Sequence, residues 1–307
     1  MSRTLRTIGF LMIFLILVPS SYGQKKTSGA SALKKQMAAY QKMFAAAARQ
    51  SVSGKLKRVK SSEIVQQQQI CRAARSGELT KEIVEQTVMP AYKLIYDACW
   101  VEPAEVLASS EKLRDARQAL IAQSEVWDTL AAEPVISRLE TDPPTPPTLE
   151  QILAQIEFDC VLYTYAATPM GKKVGAFNQT QTFLIDIQEA RCISASNRYR
   201  ILLGLEPQVI DRGLCAVARD HSKDMRTQNF FAHESPVPGK TSFTDRAARM
   251  NVRGASSENI FMGTPDGLAA ADAWFHSPGH HKNMLNDSPR TGVGRFDNHH
   301  TQMTGWK

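Results

Sequence analysis

Four prolines fall within a single short stretch, at Pro143, Pro144, Pro146 and Pro147. No helix interior or central strand accepts such a run, because each proline fixes φ and removes a backbone donor. Regular structure must stop before it and restart after it, so residues 141–149 read as a semi-rigid linker and as the main boundary of the chain. The two sides differ in kind. Residues 61–140 keep a helical pattern, with segments over Lys81–Trp100 and Glu102–Leu130, and read as a small bundle. Gln66 to Gln69 read there as a solvated helix face, and no residue in this region is of a type that chemistry needs.

Beyond the linker, residues 150–186 form a helical lead-in with one helix over Glu150–Gly171, and residues 187–307 form the last unit. Helices are expected over Leu184–Leu203 and Asp211–Arg226, and a short one over Gly267–Phe275 after a Thr264-Pro265 start signal. Strands are expected over Thr291–Phe296 and Thr301–Trp306, with Asn298 to His300 as the hairpin turn. Helices first and antiparallel strands last, with no regular βαβ alternation, indicate an α+β fold preceded by an all-α N-terminal region.

Met1–Gly23 has a short basic start, an apolar run from Ile8 to Val18 and small residues at Ser21 and Gly23. That order reads as a signal peptide, since the run is too short to span a bilayer. The remaining chain is then expected outside the cell or in the periplasm or cell envelope. Residues 24–60 carry ten basic residues and no acidic one, within a chain of net charge +7. In an exported protein such an arm suits an anionic envelope surface, and no nucleic acid is expected as partner. Leu33, Met37, Tyr40, Phe44 and Ala47 recur there at helical spacing, with Ser31 as the cap. Two readings stay open: a helix lying on a membrane surface, or one docked on its own chain with its lysines in water.

Export also bears on the five cysteines, because thiols tend to pair outside the cytosol. Short separations favour Cys71 with Cys99 and Cys160 with Cys192, leaving Cys215 as a buried thiol. No CxxC and no zinc-finger spacing is present.

All seven histidines lie after residue 220. Three strings accompany them: Phe230-Phe231-Ala232-His233-Glu234-Ser235-Pro236, Ser257-Glu258-Asn259-Ile260, and Trp274-Phe275-His276-Ser277-Pro278-Gly279-His280-His281-Lys282-Asn283. With Asn197-Arg198-Tyr199-Arg200, His221 to Met225, Gly292-Val293-Gly294 and Thr301-Gln302, this ordered set resembles the CAP superfamily. These are the SCP-domain proteins, named after cysteine-rich secretory proteins, antigen-five and plant pathogenesis-related proteins. The resemblance implies a C-terminal αβα sandwich with a small, mainly antiparallel sheet and a cleft where two histidines and acidic residues converge. Carried over by motif, the cleft cluster is His233, Glu258 and His280. Where many eukaryotic members place a second acid this chain has Ser277, and where they place glycine before the glutamate it has Ser257.

Two imidazoles and one carboxylate suit zinc or another divalent cation, with His233, His280 and Glu258 as ligands. The alternative is a hydrogen-bonded cluster that fixes the loops and needs no metal. His221, on the apolar face of its helix, reads as a core histidine, and Trp274 as core. His276 and His281 match no motif. No G-x-S-x-G, H-E-x-x-H, phosphate-loop or dinucleotide fingerprint occurs, so no catalytic residue is assigned. The expected function is a non-catalytic extracellular or envelope binding module for lipid or another small ligand. The competing readings are a metal-assisted hydrolase using His233, Glu258 and His280, and an envelope-interaction protein driven by the basic arm.

Overall fold

The computed structural model describes residues 29–127 and 147–306. The signal segment 1–23 and most of the proline run lie outside the described residues. The first helix, α1 (Gly29–Leu56), buries Leu33, Met37, Tyr40, Phe44, Ala48 and Val52. The spacing of three and four places them on one stripe. Of the two sequence readings, the structure shows the docked helix. Ala48 rather than Ala47 completes the stripe, and Ser31 lies inside the helix instead of capping it.

Next come α2 (Ser61–Ser76), α3 (Lys81–Ile83), a π-helical turn at Val84–Val88 and α4 (Met89–Cys99). The segment expected from Glu102 onward splits into α5 (Pro103–Ala108) and α6 (Glu111–Ile121). Ser110 divides them, its side chain accepting from the Leu113 N–H as an N-cap. Of the glutamine row, Gln68 is not merely solvated. Its amide donates to Leu202 O at 2.8 Å, and Arg72 donates to Gly204 O at 2.8 Å. These bonds occupy carbonyls left open at the end of the helix over Ile187–Leu202.

Past the prolines, Thr148 and Gln151 form a capping box that starts α7 (Leu149–Leu162). The single helix expected over Glu150–Gly171 ends at Leu162, and α8 (Pro169–Gln181) begins anew behind the Thr168 cap with proline at its first position. Then follow α9 (Ile187–Leu202), β1 (Val209–Ile210), α10 (Arg212–Thr227), α11 (Phe243–Arg249), β2 (Ala255–Met262), α12 (Gly267–His276), α13 (Pro278–Met284), β3 (Arg290–Phe296) and β4 (His299–Gly305). Asp266, not Thr264, caps α12.

The sheet has the order β1-β3-β4-β2. The short β1 pairs parallel to β3, and the other pairs are antiparallel. The β3–β4 turn is two residues long, with Asp297 at φ 54°. His299 and His300 therefore stand in β4, paired with Phe296 and Arg295, and not in the turn as the sequence suggested.

Helix α10 lies directly on one sheet face. A Cβ on Gly294 would meet the Arg219 backbone nitrogen at 1.9 Å, and one on Gly292 would meet that of Cys215 at 2.3 Å. Those two glycines set the helix-to-sheet distance. On the opposite face, buried Val293 shares a core with Ile193 of α9, Trp274 and Phe275 of α12 and Met284 of α13. The result is the helix–sheet–helix sandwich that the resemblance implied.

That core continues without a break into the N-terminal helices, from Leu33 to Val293. Tyr92 of α4 packs against Tyr199 of α9 and Phe275 of α12, each at 5.0 Å between ring centroids. The Arg198 guanidinium lies 5.4 Å from the Tyr96 ring and 5.5 Å from the Trp100 ring, a cation–π contact across the same junction.

All five cysteines are free and buried, which corrects the expected pairing of Cys71 with Cys99 and Cys160 with Cys192. Each belongs to a different helix and faces the core as a small apolar group. Cys71 Sγ lies 3.8 Å from Val88 O and Cys160 Sγ 3.7 Å from Gln41 O. Burial pushes the Cys71 and Cys99 thiols up to about 11.

Candidate functional site

Among the described residues strand β2 is an edge strand, bonded only to β4. An open edge invites pairing with another chain, and here it is capped by side chains. Trp274 Nε1 donates to Ile260 O at 3.0 Å, and Asn283 Nδ2 donates to Glu258 O at 3.1 Å. Two residues of the Trp274–Asn283 string thus protect the edge, and Trp274 is both core and cap.

The side chains of Glu258 and Ile260 alternate with those of Asn259 and Phe261 across the sheet. Glu258 points to the α10 side and is 1% exposed. Its Oε1 lies 3.0 Å from His233 Nδ1, and its Oε2 accepts from Arg246 Nη2 at 2.5 Å. Arg246, equally buried, donates through Nη1 to His233 O, Lys240 O and Thr241 O at 3.2, 3.0 and 3.2 Å. One guanidinium therefore neutralises the carboxylate and staples the 233–241 loop to the sheet. Lys240 anchors the loop from the other side, with Nζ at 2.8 Å from Asp220 and 2.9 Å from Asp224.

His221 on α10 is the buried core histidine that its helix face suggested, and it also lies beside the cluster. Its Nε2 is 3.9 Å from Glu258 Oε1 and 3.1 Å from Ala232 O. Burial lowers its pKa to about 4, so the ring is neutral at neutral pH. His233, by contrast, is 54% exposed and forms part of a groove. His280 enters from α13 on the other side of β2, where burial and the neighbouring His233 charge hold its pKa below the usual histidine range. The groove has a volume of about 430 Å³. Phe231, Ile260, Phe261, Met262, Ala273 and Trp274 supply its apolar lining, and Ser277 joins the two histidines as its polar part. Phe231 and Met262 stand on the rim, 45% and 50% exposed.

The remaining histidines lie outside this groove. His281 Nδ1 is 2.6 Å from Phe275 O and its ring is buried, which lowers its pKa to about 4. His276 Nδ1 is 2.7 Å from Asp272 O. Ser257, in place of the usual glycine, sits at an irregularity in the β2–β4 register, and its hydroxyl lies 2.7 Å from Thr304 Oγ1.

The structure places His233, Glu258 and His280 about one strand and gives them unequal surroundings. Both oxygens of Glu258 are engaged, and among the described residues no group of three or more His, Cys, Asp or Glu side chains is placed to hold a metal ion. A three-ligand set of His233, His280 and Glu258 does not fit this geometry. Glu258 instead fixes the His233 ring from behind, as carboxylates commonly orient imidazoles. Sequence reasoning missed Arg246 altogether, for an arginine within Asp245-Arg246-Ala247 carries no local signature of burial.

Residues 193–304 match the family model described as CAP, the cysteine-rich secretory protein family. Two Bacillus subtilis proteins are similar to part of the chain. The uncharacterized protein YkwD is 33% identical over 111 residues, and the uncharacterized membrane protein YlbC is 35% identical over 116. Those stretches cover 36% and 37% of this chain and only 43% and 33% of the relatives. Among solved structures, an extracellular SCP-domain protein from Bacillus anthracis is 33% identical, with a TM-score of 0.38 over 41% of this chain and 43% of that one. An outer surface protein from Borrelia burgdorferi is 19% identical, with a TM-score of 0.35 over 40% of this chain and 96% of the other. The motifs, the sandwich and the family match agree on one stretch of sequence: the C-terminal part of this chain, residues 193–304, is a CAP domain of the cysteine-rich secretory protein family.

Proposed function

We propose that this protein is exported and that its CAP domain binds a small ligand with an apolar body and a polar end, without covalent chemistry. The observation that carries the reading is the groove beside β2. Its volume of about 430 Å³ falls in the range of small-ligand sites, and it combines apolar walls with two imidazoles and a hydroxyl at one place. A long-chain fatty acid fits that chemistry, its chain along Phe231, Ile260 and Met262 and its head at His233, Ser277 and His280. The hydrolase reading has no such support, because the one carboxylate of the cluster has no free oxygen to act as base.

Fluorescence titration with cis-parinaric acid tests the groove. Saturable binding is expected, and Met262→Glu or Phe231→Ser should weaken it at least about tenfold by removing a large apolar wall. No binding, or equal affinity in both variants, overturns the reading. Export has its own test. The N-terminus of material collected outside the cytoplasm should begin at or near Gln24, and an intact Met1 there would overturn it. No helix among the described residues is long and apolar enough to cross a membrane.

A further inference from the structure

We propose that the outer face of α1 is a docking surface for an anionic lipid bilayer, engaged at the level of the phosphate head groups. This stands apart from the groove and does not depend on it. The apolar stripe of α1, from Leu33 to Val52, is already buried in the protein core, so the helix cannot also lay that stripe among acyl chains. Its reverse side is what remains. Lys35, Lys42 and Arg49 are exposed and follow one another every seventh residue. At 100° per residue they form one row opposite the buried stripe, about 21 Å long with a cation roughly every 10 Å.

Three further observations point to an external, flat anionic partner. First, the exposed residues that share this face with the cations, Ala38, Ala39 and Ala46, are too small to hold a planar surface away from them. Second, among the described residues none of Lys35, Lys42, Arg49 and Lys57 is ion-paired, and residues 24–60 contain no acid that could serve. Other cations of the protein do have acidic partners: Lys240 with Asp220 and Asp224, Arg219 with Glu189, and Arg295 with Asp186. Third, the row ends in an open recess of about 410 Å³, where Arg49 and Lys57 stand with the hydroxyl-bearing Ser53, Ser61 and Thr164. Two cations with hydroxyl side chains suit a phosphate head group. A straight row with no enclosing walls favours a bilayer plane over a flexible polyanion.

Each cation held against an anionic leaflet contributes about a fivefold gain in partitioning, and salt screens it. The test uses the chain from Gln24 onward, sedimented with vesicles of phosphatidylglycerol and phosphatidylcholine in equal parts, and with phosphatidylcholine alone. Retention is expected on the anionic vesicles only, with release as salt is raised. The triple variant Lys35→Glu, Lys42→Glu, Arg49→Glu should lose at least about a hundredfold in partitioning. Its melting temperature should stay near that of the parent, since all three side chains are exposed; the milder Lys35→Gln, Lys42→Gln, Arg49→Gln set gives a graded loss if reversal disturbs the fold. The proposal is overturned by equal retention of the triple variant, by retention on phosphatidylcholine alone, or by binding of soluble polyphosphate with no retention on anionic vesicles.

Discussion

Replacing Arg246 by Met should lower the unfolding free energy by about 3–5 kcal/mol, because it leaves Glu258 buried without its counter-charge. The side chain removed is 0% exposed and the carboxylate left behind is 1% exposed. The same change deprives His233 O, Lys240 O and Thr241 O of their donor, so the loop carrying His233 loses its anchor to β2. Thermal unfolding should shift down by roughly 10 °C for a protein of this size. The pair itself is diagnosed by a double-mutant cycle. Arg246→Met combined with Glu258→Gln should be more stable than Arg246→Met alone, because the uncompensated charge has gone. A single variant within about 1 kcal/mol of the parent would show that the pair does not organise the site.

The second large effect concerns pH and lies far from the groove. Asp159 of α7 is fully enclosed, and burial raises its carboxyl to about 7 even though Ser194 Oγ, Gln155 Nε2 and Thr182 Oγ1 donate to it at 2.6, 2.9 and 3.4 Å. In the unfolded chain the same group titrates at its ordinary value of 3.8. Between those two values the native state holds a proton that the unfolded state has lost. Stability therefore falls as pH rises from about 4 to about 7 and levels off above, and the contribution of this one group is on the order of 4 kcal/mol. Asp159→Asn should flatten that part of the stability curve. Urea unfolding of parent and variant across pH 4 to 8 measures the difference directly, and parallel curves would remove Asp159 as the cause. Buried Glu157 and Glu189 are shifted in the same direction by desolvation, so the comparison with the variant, rather than the parent curve alone, isolates Asp159.

Much of the C-terminal domain is legible along the chain because its signals are local. The end of α9 before Gly204, the helix α10 and the strands of the β3–β4 hairpin each follow from a few neighbouring residues, as does the apolar stripe of α1 outside that domain. Strand β2 escaped such reading. Ser257-Glu258-Asn259-Ile260 lacks a clean alternation of polar and apolar residues, since Glu258 and Asn259 are both buried on opposite faces and satisfied by partners from other elements. His299 and His300 were misplaced for a similar reason: polar residues beside an Asp-Asn pair look like a turn, yet pairing with Phe296 and Arg295 draws them into the strand.

By itself the sequence determined the apolar stripe of α1, most of the helices of the C-terminal part and the order of the CAP motifs. These depend on backbone propensity, capping and periodicity, which act over one or two turns. Only the tertiary structure decided that Arg246 occupies Glu258, that the five thiols stay apart, and that α1 gives its apolar face to a core shared with Tyr199 and Phe275 rather than to a membrane. Each of those outcomes depends on which buried groups meet across a hundred residues or more of chain, or across a loop whose shape no local pattern encodes. Burial makes that choice, because an unpaired charge or an uncovered apolar stripe costs several kcal/mol, and the partner that removes the cost is selected in space and not along the chain.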